Sequence, residues 1–154
     1  MTHGSGARRC VALLGLAVLS AGCGDGLIVV PRDLPHAVTV FACGPADGPA
    51  VQIFLADHSI SNGAPVAPYI SIYIDRSISE LRPGTYAIGD KAIGIGITRV
   101  TGPSTFEGAT SGAVHITDVS AERTVTGDVT ASFVNDAVTG AFVAPWQDRQ
   151  MLCN

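Results

Sequence analysis

Charge is scarce in this chain, and lysine is almost missing. Only 14% of the 154 residues are Asp, Glu, Lys or Arg, and Lys91 stands alone beside eight arginines. With no Lys/Arg cluster there is no electrostatic footprint for a phosphate backbone, so nucleic acid is not expected as a partner. The same lack argues against the body of the protein lying on anionic lipid through its own surface. The preference for arginine reads as GC-rich codon usage. Metal-site spacing is missing too. His36, His58 and His115 form no H-x-H, H-x-x-x-H or H-E-x-x-H pair and no C-x-x-C occurs, so neither metal nor another cofactor is expected. No apolar run approaches the roughly 20 residues that a helix needs to span a bilayer. The composition is nonetheless that of a folding chain, with 47% apolar residues. The length allows one domain and a leader.

What is there begins with the leader. Met1 to Arg9 is polar and ends in two arginines; Cys10 to Leu19 is an uncharged apolar run; Ser20-Ala21-Gly22 are three small residues before Cys23. That layout is a secretory signal peptide over residues 1–22. Ser20-Ala21-Gly22-Cys23 resembles the lipobox of bacterial lipoproteins, with serine where leucine is commoner. The resemblance implies diacylglyceryl transfer to the Cys23 thiol, cleavage between Gly22 and Cys23, and acylation of the new amino group. The expected address is therefore the cell envelope, with lipid on Cys23 as the link to the membrane. An ordinary signal peptide cut near Ala21 is the alternative. A twin-arginine reading of Arg8-Arg9 lacks the rest of that motif. Loss of the two arginines takes the formal charge from −4 to −6 for the mature chain.

Cysteine arithmetic follows from that address. Cys10 leaves with the leader and Cys23 is assigned to lipid. Cys43 and Cys153 remain as an even pair in an oxidising compartment, and a structural disulfide between them is expected. Residues 23–35, rich in Gly, Asp and Pro, read as a tether, although the apolar Leu27–Val30 run also suits an edge strand.

From His36 to residue 154 the period is two. Val38, Val40 and Ala42, then Val51, Ile53 and Leu55, then Ile70, Ile72 and Ile74, then Ile93, Ile95 and Ile97 alternate with intervening residues. Val114 and Ile116 do the same, as do Val129, Ala131 and Phe133. Turn signals such as Asn62-Gly63, Pro83-Gly84, Gly102-Pro103 and Asn135-Asp136 separate these runs. The expected fold is all-β: an antiparallel sandwich or small barrel of about seven to nine short strands. Ser77 to Leu81 offers at most one helical turn. Val125–Phe133 and Val138–Trp146 share the pattern V-T-G-x-[V/F]-x-A-x-[F/W], which predicts a hairpin with Gly127 and Gly140 at bulges or close approaches. This ending resembles the C-terminal hairpin of many exported lipoproteins of unknown function.

Chemistry is thin. Asp57-His58-Ser59 spells triad residue types, but adjacent residues point apart and the segment Asp57–Pro68 has turn-forming composition. Glu80, Glu107 and Glu122 are the only glutamates, and nothing in the spacing pairs two of them across a cleft. Trp146 suits an anchor for a sugar or partner, or a cap on the core. Gly94 and Gly96 leave a smooth stripe for a flat ligand, or for cover by the rings of Tyr69 and Tyr73. Neither catalytic nor cofactor-binding residues are assigned. The expected function is a membrane-tethered, non-enzymatic β domain that binds a protein or glycan partner or stabilises the envelope. The alternatives are a hydrolase of envelope polymers using loops 57–68 and 101–112, and a small-ligand or sugar carrier.

Overall fold

The period-two runs become strands. A computed structural model describes residues 29–31, 34–45, 48–62 and 65–148, and contains no α-helix among them. Seven long strands form, six on the alternating runs and the seventh on the second copy of the V-T-G echo: β2 (His36–Cys43), β3 (Pro49–Ala56), β4 (Tyr69–Ile74), β6 (Ile95–Gly102), β8 (Ser111–Val119), β9 (Val125–Ser132) and β10 (Ala137–Ala144). Four more bring the count to eleven: β1 (Val29–Pro31), β5 (Gly84–Ala87), β7 (Thr105–Gly108) and β11 (Trp146–Gln147). These have two to four residues each, too few to carry a period. That explains the excess over seven to nine.

The strands form two sheets, not a closed barrel. One has the order β1-β10-β9-β8-β5 and the other β11-β2-β3-β4-β6-β7. Neighbours are antiparallel except at two edges, where β1 pairs parallel with β10 and β11 with β2. Val29–Pro31 is thus part of the sheet, and Leu34 is buried in the core. The domain therefore starts upstream of His36, and the segment 23–35 is not all tether.

Between the sheets lies one filled core. Val51, Ile53, Leu55, Ile70, Ile72 and Ile74 from one side meet Val114, Ile116, Val129, Phe133 and Phe142 from the other. Full burial of such a side chain stabilises by roughly 1.5–3 kcal/mol. A second cluster sits on the outer face of the larger sheet, where Val38, Val40 and Phe54 pack with Ile60 and Tyr69. The loop that follows β3 thus covers part of a face that strand alternation alone would leave wet. Thr39 faces the main core, and its hydroxyl donates to the Ala144 carbonyl at 3.0 Å. Its amide donates to the Pro145 carbonyl at 2.9 Å. Both bonds tie β2 to the point where the chain leaves β10 for the opposite sheet, and they satisfy a buried hydroxyl that would otherwise be costly.

The expected hairpin is β9–β10, closed by a Phe133 amide to Asp136 carbonyl bond of 2.7 Å. Gly127 is a close approach: an added Cβ would collide with the carbonyl oxygen of His115 on β8, beside a register shift between Ile116 and Asp118. Ser77–Leu81 is the single turn expected. The Leu81 amide bonds the Ser77 carbonyl at 3.0 Å, and the Ser77 hydroxyl donates to Glu80 at 2.8 Å, as in a capping box.

Candidate functional site

The residues singled out in the sequence do not converge. His58 is the nearest to a catalytic arrangement. Its Nδ1 lies 2.7 Å from the Asp57 carboxylate and its Nε2 lies 2.8 Å from the Val66 carbonyl. Both partners are acceptors, so both ring nitrogens must carry protons, and the ring is an imidazolium cation in this arrangement. The Asp57 hydrogen bond, followed by the bond to Val66, raises its pKa above the usual value. A general base needs a free nitrogen facing a nucleophile; here both nitrogens are engaged, and Asp57 is 67% exposed. His58 is a clasp on its own loop. His115 stands on the outer face of the smaller sheet, exposed, with Nδ1 3.2 Å from the Thr85 hydroxyl. His36 is exposed at the start of β2. Glu80 and Glu122 bond local serines.

Glu107 belongs to a cluster that sequence reasoning missed. The Arg99 guanidinium forks onto both oxygens of Asp136 at 2.7 Å, pairs with Glu107, and lies 4.4 Å over the Phe133 ring. Glu107 also accepts the Val134 amide at 3.0 Å. Its carboxyl is held below the usual range, first by Arg99 and then by that amide. The arrangement joins β6 and β7 of one sheet to the β9–β10 turn of the other. Its charges are consumed internally, so it reads as a tie between sheets. The signal was available in part, because Arg99 continues the inward register of Ile95 and Ile97. Its partners are 8 and 37 residues away, and nothing in the spacing names them.

The glycine stripe is also differently furnished. Gly96 pairs with Tyr73 in register, yet nothing lies within 4 Å of where its Cβ would be. The Tyr73 hydroxyl is buried near Asp75 and Gly44. Burial raises its pKa, with Asp75 adding to the effect. Tyr69 packs edge-on against Phe54 with ring centroids 5.6 Å apart. The two tyrosines therefore do not form a continuous exposed strip, and the interior is filled with side chains.

The cavity with chemical character is a cleft of about 750 Å³ at one end of the sandwich. Phe41, Ile78, Val119 and Trp146 give it apolar walls above the buried Leu81, and Arg82 and Arg123 stand at its rims. The rims are the turn after β4 and the turn between β8 and β9. Arg123 has φ +62°, a left-handed conformation that turns usually give to Gly or Asn, and its guanidinium sits 5.7 Å from the Trp146 ring. Arg82 is steadied by bonds to the carbonyls of Ser79 and Leu81. Trp146 does line a cavity wall, at half burial, and its indole N–H donates to Asp148 at 2.7 Å.

Among the described residues no group of three or more His, Cys, Asp or Glu is placed to hold a metal ion. Cys43 ends β2, and its sulfur is not free. Cys153 and Cys23 lie outside the described residues. No family model, curated protein or solved structure matches the chain.

Proposed function

We propose that the chain is a lipoprotein, exported and anchored to a membrane of the cell envelope through acyl chains on Cys23. Its β-sandwich then acts as a binding module, not an enzyme. The observation that carries the anchor is Ser20-Ala21-Gly22-Cys23, placed directly after a short apolar run and an arginine pair. One acyl chain holds a protein only reversibly; two or three make attachment lasting. The binding role is supported by the end cleft with its two guanidiniums, and by the engagement of both His58 nitrogens.

A disulfide between Cys43 and Cys153 belongs to the same reading. β11 runs parallel to β2 with Gln147 opposite Val40. The chain therefore leaves Gln147 in the direction of Cys43, about 10 Å farther along β2, and six residues can extend about 20 Å.

Intact mass of the membrane-extracted protein tests the anchor. The expected product begins at Cys23 and carries acyl mass, whereas Cys23→Ala is released into the aqueous phase. A wild-type product without lipid, free in buffer, would falsify the assignment.

A further inference from the structure

We infer that the end cleft binds a peptide segment in which carboxylates alternate with apolar side chains. This inference rests on the binding reading above and gives that site a ligand class.

Charge is the first argument. The mature chain is acidic, yet two of the four arginines among the described residues converge on one cleft. Ion pairs among those residues engage Arg99 and His58; Arg82 and Arg123 form none. Three carboxylates stand at the same end, Glu80, Glu122 and Asp148; each accepts from a local hydroxyl, amide or indole N–H, and none is within ion-pair distance of either guanidinium. A guanidinium outside any ion pair is a ready fork for the two oxygens of a carboxylate.

The backbone gives a second, independent argument. An arginine in the left-handed region is disfavoured by about 1 kcal/mol or more, while glycine there is unstrained. The turn is otherwise well bonded, with Ser120 and Thr124 joined through Ser120 N to Thr124 O at 2.9 Å and Thr124 N to Ser120 Oγ at 3.1 Å. Arg123 therefore sits where a smaller residue would serve the turn better, and what it adds is a guanidinium over Trp146 at the mouth of the cleft. Local strain of this kind marks side chains kept for what they contact.

The walls choose between peptide and sugar. A glycan needs many uncommitted donors and acceptors for its hydroxyls. Here the Ser77 hydroxyl is engaged with Glu80 and Ser79, the Ser120 hydroxyl with Glu122 and Thr124, and the indole N–H with Asp148. What is left is apolar surface from Phe41, Ile78 and Val119, suited to aliphatic or aromatic side chains, and two cations suited to carboxylates.

Trp146 is the only tryptophan, so its emission reports directly on the cleft. The full chain, extracted in dodecyl maltoside, is titrated with acetyl-Leu-Glu-Leu-Phe-Asp-Leu. A second titration uses the same peptide with Gln, Asn and a terminal amide in place of every carboxylate. The acidic peptide should shift the emission saturably, with half-saturation below about 1 mM. The amide version should bind at least about tenfold more weakly, as expected for loss of a charge-assisted bond. Arg123→Gly, which suits the turn and so keeps the fold, and Arg82→Gln should each weaken the acidic peptide by a similar factor. Arg76→Gln, outside the cleft, should not. No saturable shift, or a shift indifferent to both arginines, overturns the inference; so does a response to oligogalacturonate but not to the peptide. If Cys23 is acylated while peptide binding fails, the cleft inference falls and the anchor stands. Binding without acylation gives the reverse.

Discussion

At the scale of single residues, hydrogen-bond arithmetic settles what spacing leaves open. Asp57-His58-Ser59 looks like catalytic material in one dimension. In three dimensions His58 faces two acceptors and Ser59 does not join them. The consequence is a pH dependence with a definite sign. The folded pKa is raised above that of the unfolded chain, so the clasp's contribution is fully present below about pH 6.5 and fades as pH rises through the folded value. An NMR titration should place the His58 midpoint above 6.5. Amide exchange within residues 57–68 should quicken above that midpoint in wild type and be independent of pH in His58→Gln, after correction for intrinsic rates. A His58 midpoint at or below 6.5 removes the clasp. Arg99 carries the complementary lesson. Alternation alone places an arginine on the inward face of β6, while its carboxylate partners come from β7 and a distant turn that no local pattern could pair with it.

At the scale of elements, six of the eleven strands were legible because each is long enough to alternate between wet and dry faces. The β9–β10 hairpin was legible from its internal echo. The four remaining strands were not, since an edge strand of two to four residues is defined by its neighbour's backbone more than by its own side chains. Glycine shows the same division. Gly127 and Gly96 look alike in the sequence, each inside a strand. Gly127 has the β8 backbone against it, whereas Gly96 has open space. Gly127→Ala should therefore destabilise by about 1–3 kcal/mol, as overpacking does. Gly96→Ala should be neutral or stabilise by up to about 1 kcal/mol through the unfolded chain. Urea unfolding of the two variants decides it. Equal losses in both would mean that the β8–β9 contact is not as close as described.

At the scale of the whole molecule, the all-β class was readable, the choice between sandwich and small barrel stayed open until the sheets were seen, and the cleft was not readable. Trp146 could be named as an anchor or a cap, but a cavity between the turns after β4 and after β8 requires knowing that those turns meet at one end. The proposed bridge from Cys43 to Cys153 acts at this scale, because it would close a loop of about 110 residues and restrict the unfolded chain accordingly. Cys43→Ala with Cys153→Ala should lower stability by roughly 2–5 kcal/mol, and added reductant should do the same to the wild type. Unreduced, denatured mature protein should give no thiol-labelling signal at either position. Reactive thiols at both would remove the bridge. The placement of β1 has a mechanical side. It joins its sheet as a parallel partner of β10, along Val29, Val30 and Pro31. A pull arriving from the N-terminal side along the strand axis loads that short ladder sideways, all rungs together. A protein moored by its front end would thus take the strain of its mooring in shear.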